Sequence, residues 1–192
     1  MRNAVQKVHF GGIQELASWG LVMKGLAGSL VLLFPIVVMG ADIPDVQFYR
    51  DAAEGGMAEV AMGNLAQQKA HSQSVKEFGA QMVKDHSAAN EKLQALAQSK
   101  NITLPANPSV EAMTAKAKLQ VLSGDSFDKT YIKGMIKDHE KDVAEFKKEA
   151  ASGQDPEARA FARAALPTLE AHLKRIQSIA ADAGVSADQP AI

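Results

Sequence analysis

The sequence predicts an all-α, ferritin-like four-helix bundle with one long crossover that carries a short extra helix. Three observations lead there. Beyond Val46 there is little strand-like alternation and few Gly or Pro breaks. Apolar residues recur at alternating spacings of three and four over four stretches of roughly 25 residues, each about 38 Å long as a helix. The links between these stretches run short, long, short, which joins two antiparallel hairpins by a crossover. With 33 alanines and only 5% aromatic residues, the core is built largely from small and aliphatic side chains.

The first long helix is expected from Val46 to Ala70. The second starts near Ser74, where Ser74 and Glu77 form an S-x-x-E capping box, and fades by Lys100. The third follows Gly124-Asp125-Ser126 and stops at Ser152-Gly153. Asp155 caps the fourth, Pro156 takes its first position, Gly184 ends it, and Pro167 inside it is expected to bend it. The long link spans Asn101 to Asp125. After Pro105 and Pro108 it carries Val110, Met113, Ala117 and Val121 at helical spacing. A helix of about 14 residues covers some 21 Å, and eight or more extended residues add roughly 26 Å. That reach returns the chain to the same end of the bundle and makes the second and third long helices parallel. A plain up-down bundle with a surface helical insert is the alternative.

Residues 26–38 form an apolar run without a charge, preceded by Lys24 and closed by Met39-Gly40-Ala41. A basic flank, a short apolar stretch and small residues at its end describe a secretory signal peptide, cleaved after Gly40 or Ala41. An uncleaved anchor is the other reading. The run is short for a membrane span, which takes about 20 residues. Either way residues 42–192 are expected outside the cytoplasmic membrane, periplasmic or envelope-associated, with any membrane contact made through the N-terminal segment. Met23-Lys24 would make a natural start, so the upstream segment reads as an extension. The expected organisation is an N-terminal extension and signal over residues 1–41, a bundle over 42–184 and a flexible tail over 185–192. Losing Arg2, Lys7, Lys24 and Glu15 leaves the mature chain three charges negative.

Composition removes whole classes of function. The absence of Cys excludes thiol catalysis, iron–sulfur clusters, thiolate zinc sites and disulfides. A net charge of −1 offers no basic footprint for nucleic acid. No G-x-S-x-G, phosphate loop or dinucleotide fingerprint is present, so no catalytic residue is singled out.

Each long helix places one ionisable residue on its apolar stripe. Glu59 lies in a small-residue seam with Ala52, Gly56, Gly63, Ala66 and Ala70. His86 follows Val75, Phe78 and Met82 and precedes Ala89, Leu93 and Leu96. His139 lies among Ile132, Met135, Val143, Phe146 and Ala150. His172 lies among Ala158, Ala162, Ala165, Leu169, Ile176, Ile179 and Ala183. All four fall within about two residues, or 3 Å, of their helix midpoints, so equal helices packed side by side bring them to one layer. Met82-Val83-Lys84-Asp85-His86 and Met135-Ile136-Lys137-Asp138-His139 repeat one phrase at an offset of 53, as a duplicated half-site or a duplicated packing unit would.

Three imidazoles and a carboxylate suit one transition metal ion such as Zn, Fe, Cu or Mn. The candidate ligands are Glu59, His86, His139 and His172, with Asp142, one turn after His139, as an extra. The competing reading is a structural or interaction module whose polar layer only sets helix register through hydrogen bonds. The Glu-x-x-His signature of di-iron bundles is absent, since Val83, Ile136 and Leu169 precede the three histidines by three residues. Asp85, Asp138 and Glu170 point away from their neighbouring histidines and read as outer groups. His71 reads as a solvated loop residue, and Lys141, Lys147, Lys148 and Glu149 as the exposed face of their helix. Met57, Met62, Met82, Met113 and Met135 read as scattered core positions.

Several phrases resemble a bacterial family known as DUF4142. They are Phe48-Tyr49, Glu54-Gly55-Gly56-Met57-Ala58-Glu59-Val60, and Val75-Lys76 with Phe78-Gly79, Met82-Val83 and Asp85-His86-Ser87. Further on come Phe127-Asp128 with Tyr131, Asp138-His139-Glu140, Asp155-Pro156-Glu157 and Leu166-Pro167-Thr168-Leu169 with His172-Leu173. The likeness covers about residues 47–180. It implies an exported or envelope-associated ferritin-like helical domain without an established activity. Glu59, His86, His139 and His172 coincide with that family's recurring polar positions.

Overall fold

The computed structural model describes residues 45–186. The expectations for residues 1–41, and for the tail beyond residue 186, lie outside the described residues. Among the described residues there are five helices: α1 (Val46–Lys69), α2 (Gln73–Ser99), α3 (Val110–Gln120), α4 (Gly124–Ser152) and α5 (Pro156–Asp182). Among the described residues there is no strand, and no helix is long and apolar enough to cross a membrane.

Contacts between distant residues fix the helix directions. α1 pairs with α2, and α4 with α5, as antiparallel hairpins. Glu59 meets His139, and the turn after α1 meets Asp128 near the start of α4, so α1 and α4 run antiparallel. His172 meets Asp85, while Arg175 reaches back to Gln81 and Glu77, so α2 and α5 are antiparallel too. α2 and α4 are therefore parallel, as the one-crossover topology requires. α3 is the crossover helix, lying against α1 and α4, with Lys69 Nζ donating to the Gln120 carbonyl.

The helix ends follow elementary capping chemistry, with one change from expectation. Asp155 accepts the Glu157 N–H at 2.9 Å ahead of Pro156, and Gly184 takes a positive φ after α5. α5 continues through Pro167 as one helix. The Ser74–Glu77 capping box does not form. α2 begins at Gln73, and Ser72 occupies the cap without a side-chain cap bond. The Asp128 carboxylate from α4 does the work instead, accepting the His71 N–H at 3.0 Å and the Ser72 N–H at 2.6 Å. Asp45 does the same at the opposite end, accepting the Gln154 and Asp155 N–H groups, each at 2.6 Å. Each hairpin turn is thus held by an aspartate from the other hairpin. Lys100 and the Tyr49 hydroxyl both reach Asp155 at 2.9 Å, closing that end.

Two further expectations are corrected. Val110 and Val121 on the crossover are 75% and 84% exposed and Met113 is also exposed, so their stripe faces water and Leu119 alone on α3 is buried. Met113 is therefore not a core methionine. Glu149 is buried rather than part of the exposed face of α4, because its side chain folds back under Gly153 beside Asp45.

The apolar core divides by height. Phe78, Phe127, Tyr131, Ile132, Met135 and Ile176 anchor a cluster towards the α1–α2 turn. Two smaller clusters fill the other end, one around Tyr49, Leu93 and Ala158, the other around Phe146, Ala162 and Leu169. Between them lies the level of Glu59, His86, His139 and His172. The first hairpin closes tightly because α1 and α2 touch through glycines. A Cβ on Gly63 would stand 2.5 Å from the Gly79 carbonyl oxygen, and one on Gly79 would stand 2.7 Å from the Gly63 carbonyl oxygen.

Two predictions follow from this packing. Gly63→Ala or Gly79→Ala forces backbone against backbone and should cost about 1–3 kcal/mol in urea unfolding. Gly134→Ala on α4, where nothing lies within 4 Å, should instead stabilise by about 0.5–1 kcal/mol. Burial, with Asp45 and Asp155 adding to it, raises the Glu149 pKa to about 7. Its contribution to stability is therefore full below its ordinary value near 4.5 and is lost as pH rises through about 7. Glu149→Gln should raise Tm at pH 8.5 and leave it nearly unchanged at pH 4.

Candidate metal centre

His86, His139 and His172 come from the middle turns of α2, α4 and α5, and each lies on the apolar stripe of its helix. All three are buried, His139 and His172 completely. Their ring centroids form a near-equilateral triangle, 5.8, 5.4 and 5.5 Å on a side. One nitrogen from each ring falls within 4.8 Å of the other two. Three nitrogens at about 2.0–2.1 Å from one ion stand roughly 3.3–3.6 Å apart, so closure around an ion takes shifts below about 1 Å per ring.

The outer edges of two rings are already committed. His139 Nδ1 lies 2.9 Å from the Met135 carbonyl oxygen, and His172 Nε2 lies 2.9 Å from Asp85 Oδ2. These bonds put the protons on the outer nitrogens and leave His139 Nε2 and His172 Nδ1 as lone-pair donors. Both of these, together with His86 Nε2, are buried with no hydrogen-bond partner among the described residues. Phe78 closes the layer on one side, with its ring 6.0 Å from His139 and 6.3 Å from His172.

The electrostatics keep the imidazoles neutral. Burial, reinforced by repulsion from the other two rings, lowers the His86 pKa to about 3. Burial lowers His139 to about 4, against the pull of its bond to Met135. Burial also lowers His172, and Asp85 offsets only part of that. Asp85 itself stays ionised, because its bonds to His172 and Gln81 outweigh its own burial. Neutral imidazole is the form that binds a metal.

The two expected carboxylate ligands occupy different places. Glu59 stands beside the triangle, its Oε1 3.7 Å from His139 Nδ1, the committed nitrogen, and its Oε2 buried without a partner. Burial, with repulsion from Asp142 and Asp138, raises its pKa well above the ordinary value and favours its protonated form. Asp142 lines a cavity next to His86 and His172, and burial together with Asp138 and Glu145 raises it to about 7. The three histidines therefore make the converging donor set, flanked by two weak acids. Of the outer groups, Asp85 orients His172 across the helix interface and Glu170 pairs with Lys147 at 2.7 Å. His71 is exposed, as expected.

The sequence reading missed two features. Tyr131 is fully buried with its hydroxyl unpartnered, at a position that the tyrosine's amphipathic character leaves undetermined. The cavity of about 280 Å³ beside His86 and His172 also went unseen; the only signal for it is the density of Ala and Gly at residues 52–56, 88–89 and 164–165.

The model of the domain of unknown function DUF4142 matches residues 39–179, and the chain belongs to that family. No curated protein sequence matches it. Among solved structures, a DUF305 protein from Streptomyces coelicolor, described as secreted, shares the fold at 15% identity and a TM-score of 0.65, covering 76% of this chain and 96% of its own. CopM in its Cu(I)-bound form shares it at 15% identity and a TM-score of 0.61, covering 73% and 97%. CopM in its Cu(II)-bound form does so at 17% identity and 0.62, covering 72% and 96%.

Proposed function

We propose that this DUF4142 chain is an exported bundle that binds one transition metal ion in its core through His86, His139 and His172, for metal handling or stress response in the envelope. One observation carries the reading: one nitrogen from each of the three buried rings lies within 4.8 Å of the other two, and each ring has a buried nitrogen with no hydrogen-bond partner among the described residues. A hydrogen-bond network would pair such groups with one another, but His139 Nε2 and His172 Nδ1 are both lone-pair donors and cannot bond to each other. An ion satisfies them together. Asp85 and the Met135 carbonyl hold the rings from behind, and such outer partners fix both tautomer and orientation. The ion itself would supply a positive charge that neutral imidazoles accept without repulsion, and Glu59 and Asp142 can release protons when it enters.

Imidazole donors without thiolate suit Cu, Zn, Fe and Ni, and among divalent ions copper binds such sites most tightly. The fold shared with CopM, whose structures hold Cu(I), Cu(II) and Ag, supports copper as the first ion to test. Export is supported by the apolar run at residues 26–38 and by the secreted description of the DUF305 protein of like fold.

The deciding measurement is metal content. Protein purified from the envelope, or reloaded with Cu, Zn, Fe or Mn, should carry one ion per chain. The His86→Ala, His139→Ala double variant should carry none. Metal at a hundredfold excess over Kd should stabilise the parent by about 2.7 kcal/mol, read as a rise in Tm, and leave the variant unmoved. A substoichiometric parent after all four reloadings sinks the metal reading and leaves a structural module. Export has its own readout, which is N-terminal sequencing of envelope material. Mature ends at Ala41 or Asp42 are expected, and an intact Met1 or Met23 on a soluble cytoplasmic species overturns it.

A further inference from the structure

The triangle of histidines has Phe78 on one side and a cavity on the other. Phe78 packs edge-on against His139 and His172 from the large apolar cluster. Towards the opposite end the layer gives onto the cavity of about 280 Å³, which His86 and His172 line directly. His86 Nε2 and His172 Nδ1 are both buried and unpartnered, and both belong to residues in that wall. The space exists because small residues stand where a bundle core places Leu or Phe. α1 contributes Gly55 and Gly56, α2 contributes Ala89, and α5 contributes Ala165. Gly56 is held that way by Asn90, whose amide lies where a Cβ would project.

The mouth and the walls differ in chemistry. Ala88 and Lys92 on α2, with Ala164 and Thr168 on α5, are exposed, so the opening lies between these two helices. The end away from the histidines is apolar, formed by Leu93, Phe146 and Phe161. Asp85, Asp142 and Glu145 place acids along the wall against the single Lys92, which disfavours an anion. A cavity of this size holds several waters or one small organic molecule.

We infer that the cavity is a binding site for a small neutral Lewis base, an imidazole- or amine-like molecule with an apolar body, which enters between α2 and α5 and reaches the metal from the side opposite Phe78. The inference rests on the metal reading above. The base takes the coordination position that the three histidines leave open, and its body lies against Leu93, Phe146 and Phe161. The centre is on this account accessible to an exchangeable ligand rather than a sealed store.

The test uses full-length protein loaded with Cu(II) at pH 8, titrated with imidazole, 4-phenylimidazole and 4-(4-carboxyphenyl)imidazole, and followed by visible absorption and electron paramagnetic resonance. Copper content is measured after each titration. All three should perturb the copper spectrum in saturable fashion. The phenyl group should improve Kd over imidazole by at least about tenfold, as burial of one aromatic ring predicts. The para-carboxylate, too distant to chelate, should forfeit that gain. Ala165→Phe and Ala89→Phe, two independent fillings of the cavity, should retain copper and weaken 4-phenylimidazole at least about tenfold. A protein that never loads copper or another ion overturns the metal reading and this inference with it. A loaded protein whose spectrum ignores all three bases, or binds 4-phenylimidazole no better than imidazole, overturns this inference alone. So does an unchanged response in a folded, copper-loaded Ala165→Phe or Ala89→Phe variant.

Discussion

The constraint on which this structure turns is the burial of three imidazoles at one height, each with a ring nitrogen that no group among the described residues satisfies. A buried polar group left unpaired costs about 1–3 kcal/mol. Three of them withdraw several kcal/mol from a domain whose whole stability is of the order of 5–15 kcal/mol. A chain that needed only a packed bundle could fill those positions with Leu or Met at no such cost. The surroundings do not relieve the penalty but organise it. Asp85 and the Met135 carbonyl occupy the outer nitrogens, Phe78 shuts one face, and burial keeps the rings uncharged.

The rest of the fold serves to hold that layer still. Apolar clusters lie on both sides of it, and the helix ends are tied by carboxylates borrowed across the bundle. Asp128 secures the turn of the first hairpin and Asp45 the turn of the second, so neither hairpin is complete alone. The contact of Gly63 with Gly79 draws α1 and α2 together. These are fixed-geometry interactions, and they leave the central rings few alternative positions.

The repeated phrase on α2 and α4 acquires a physical meaning at this layer. Asp85 on α2 faces α5 and finds His172, which donates to it. Asp138 is the matching residue on α4, and the ionisable group nearby whose pKa it shifts is Glu59 rather than a histidine. Two carboxyl groups repel, and Asp138 contributes to raising the Glu59 pKa. The duplication is therefore broken at one corner. The result is three imidazoles and one carboxyl group in place of a symmetrical four.

Periodicity, capping residues and link lengths were sufficient to derive the five helices, the pairing of hairpins and the parallel α2 and α4, because each depends on local geometry or on chain reach. The same periodicity placed His86, His139 and His172 inside and at one height. It could not say which way a side chain at that height turns. Glu59 faces the committed edge of His139 and Asp142 a cavity wall, and those directions follow from helix rotation and neighbours far away in the chain. Likewise Ser74 and Glu77 carried a capping signal that an aspartate 56 residues beyond Ser72 displaced, and Glu149 was hidden by a turn that its own helix does not contain. One-dimensional pattern determines what an element is and which face is apolar. The cavity and the convergence of lone pairs, along with the partners that cap a turn, belong to packing, because each is made by residues that only the folded chain brings together.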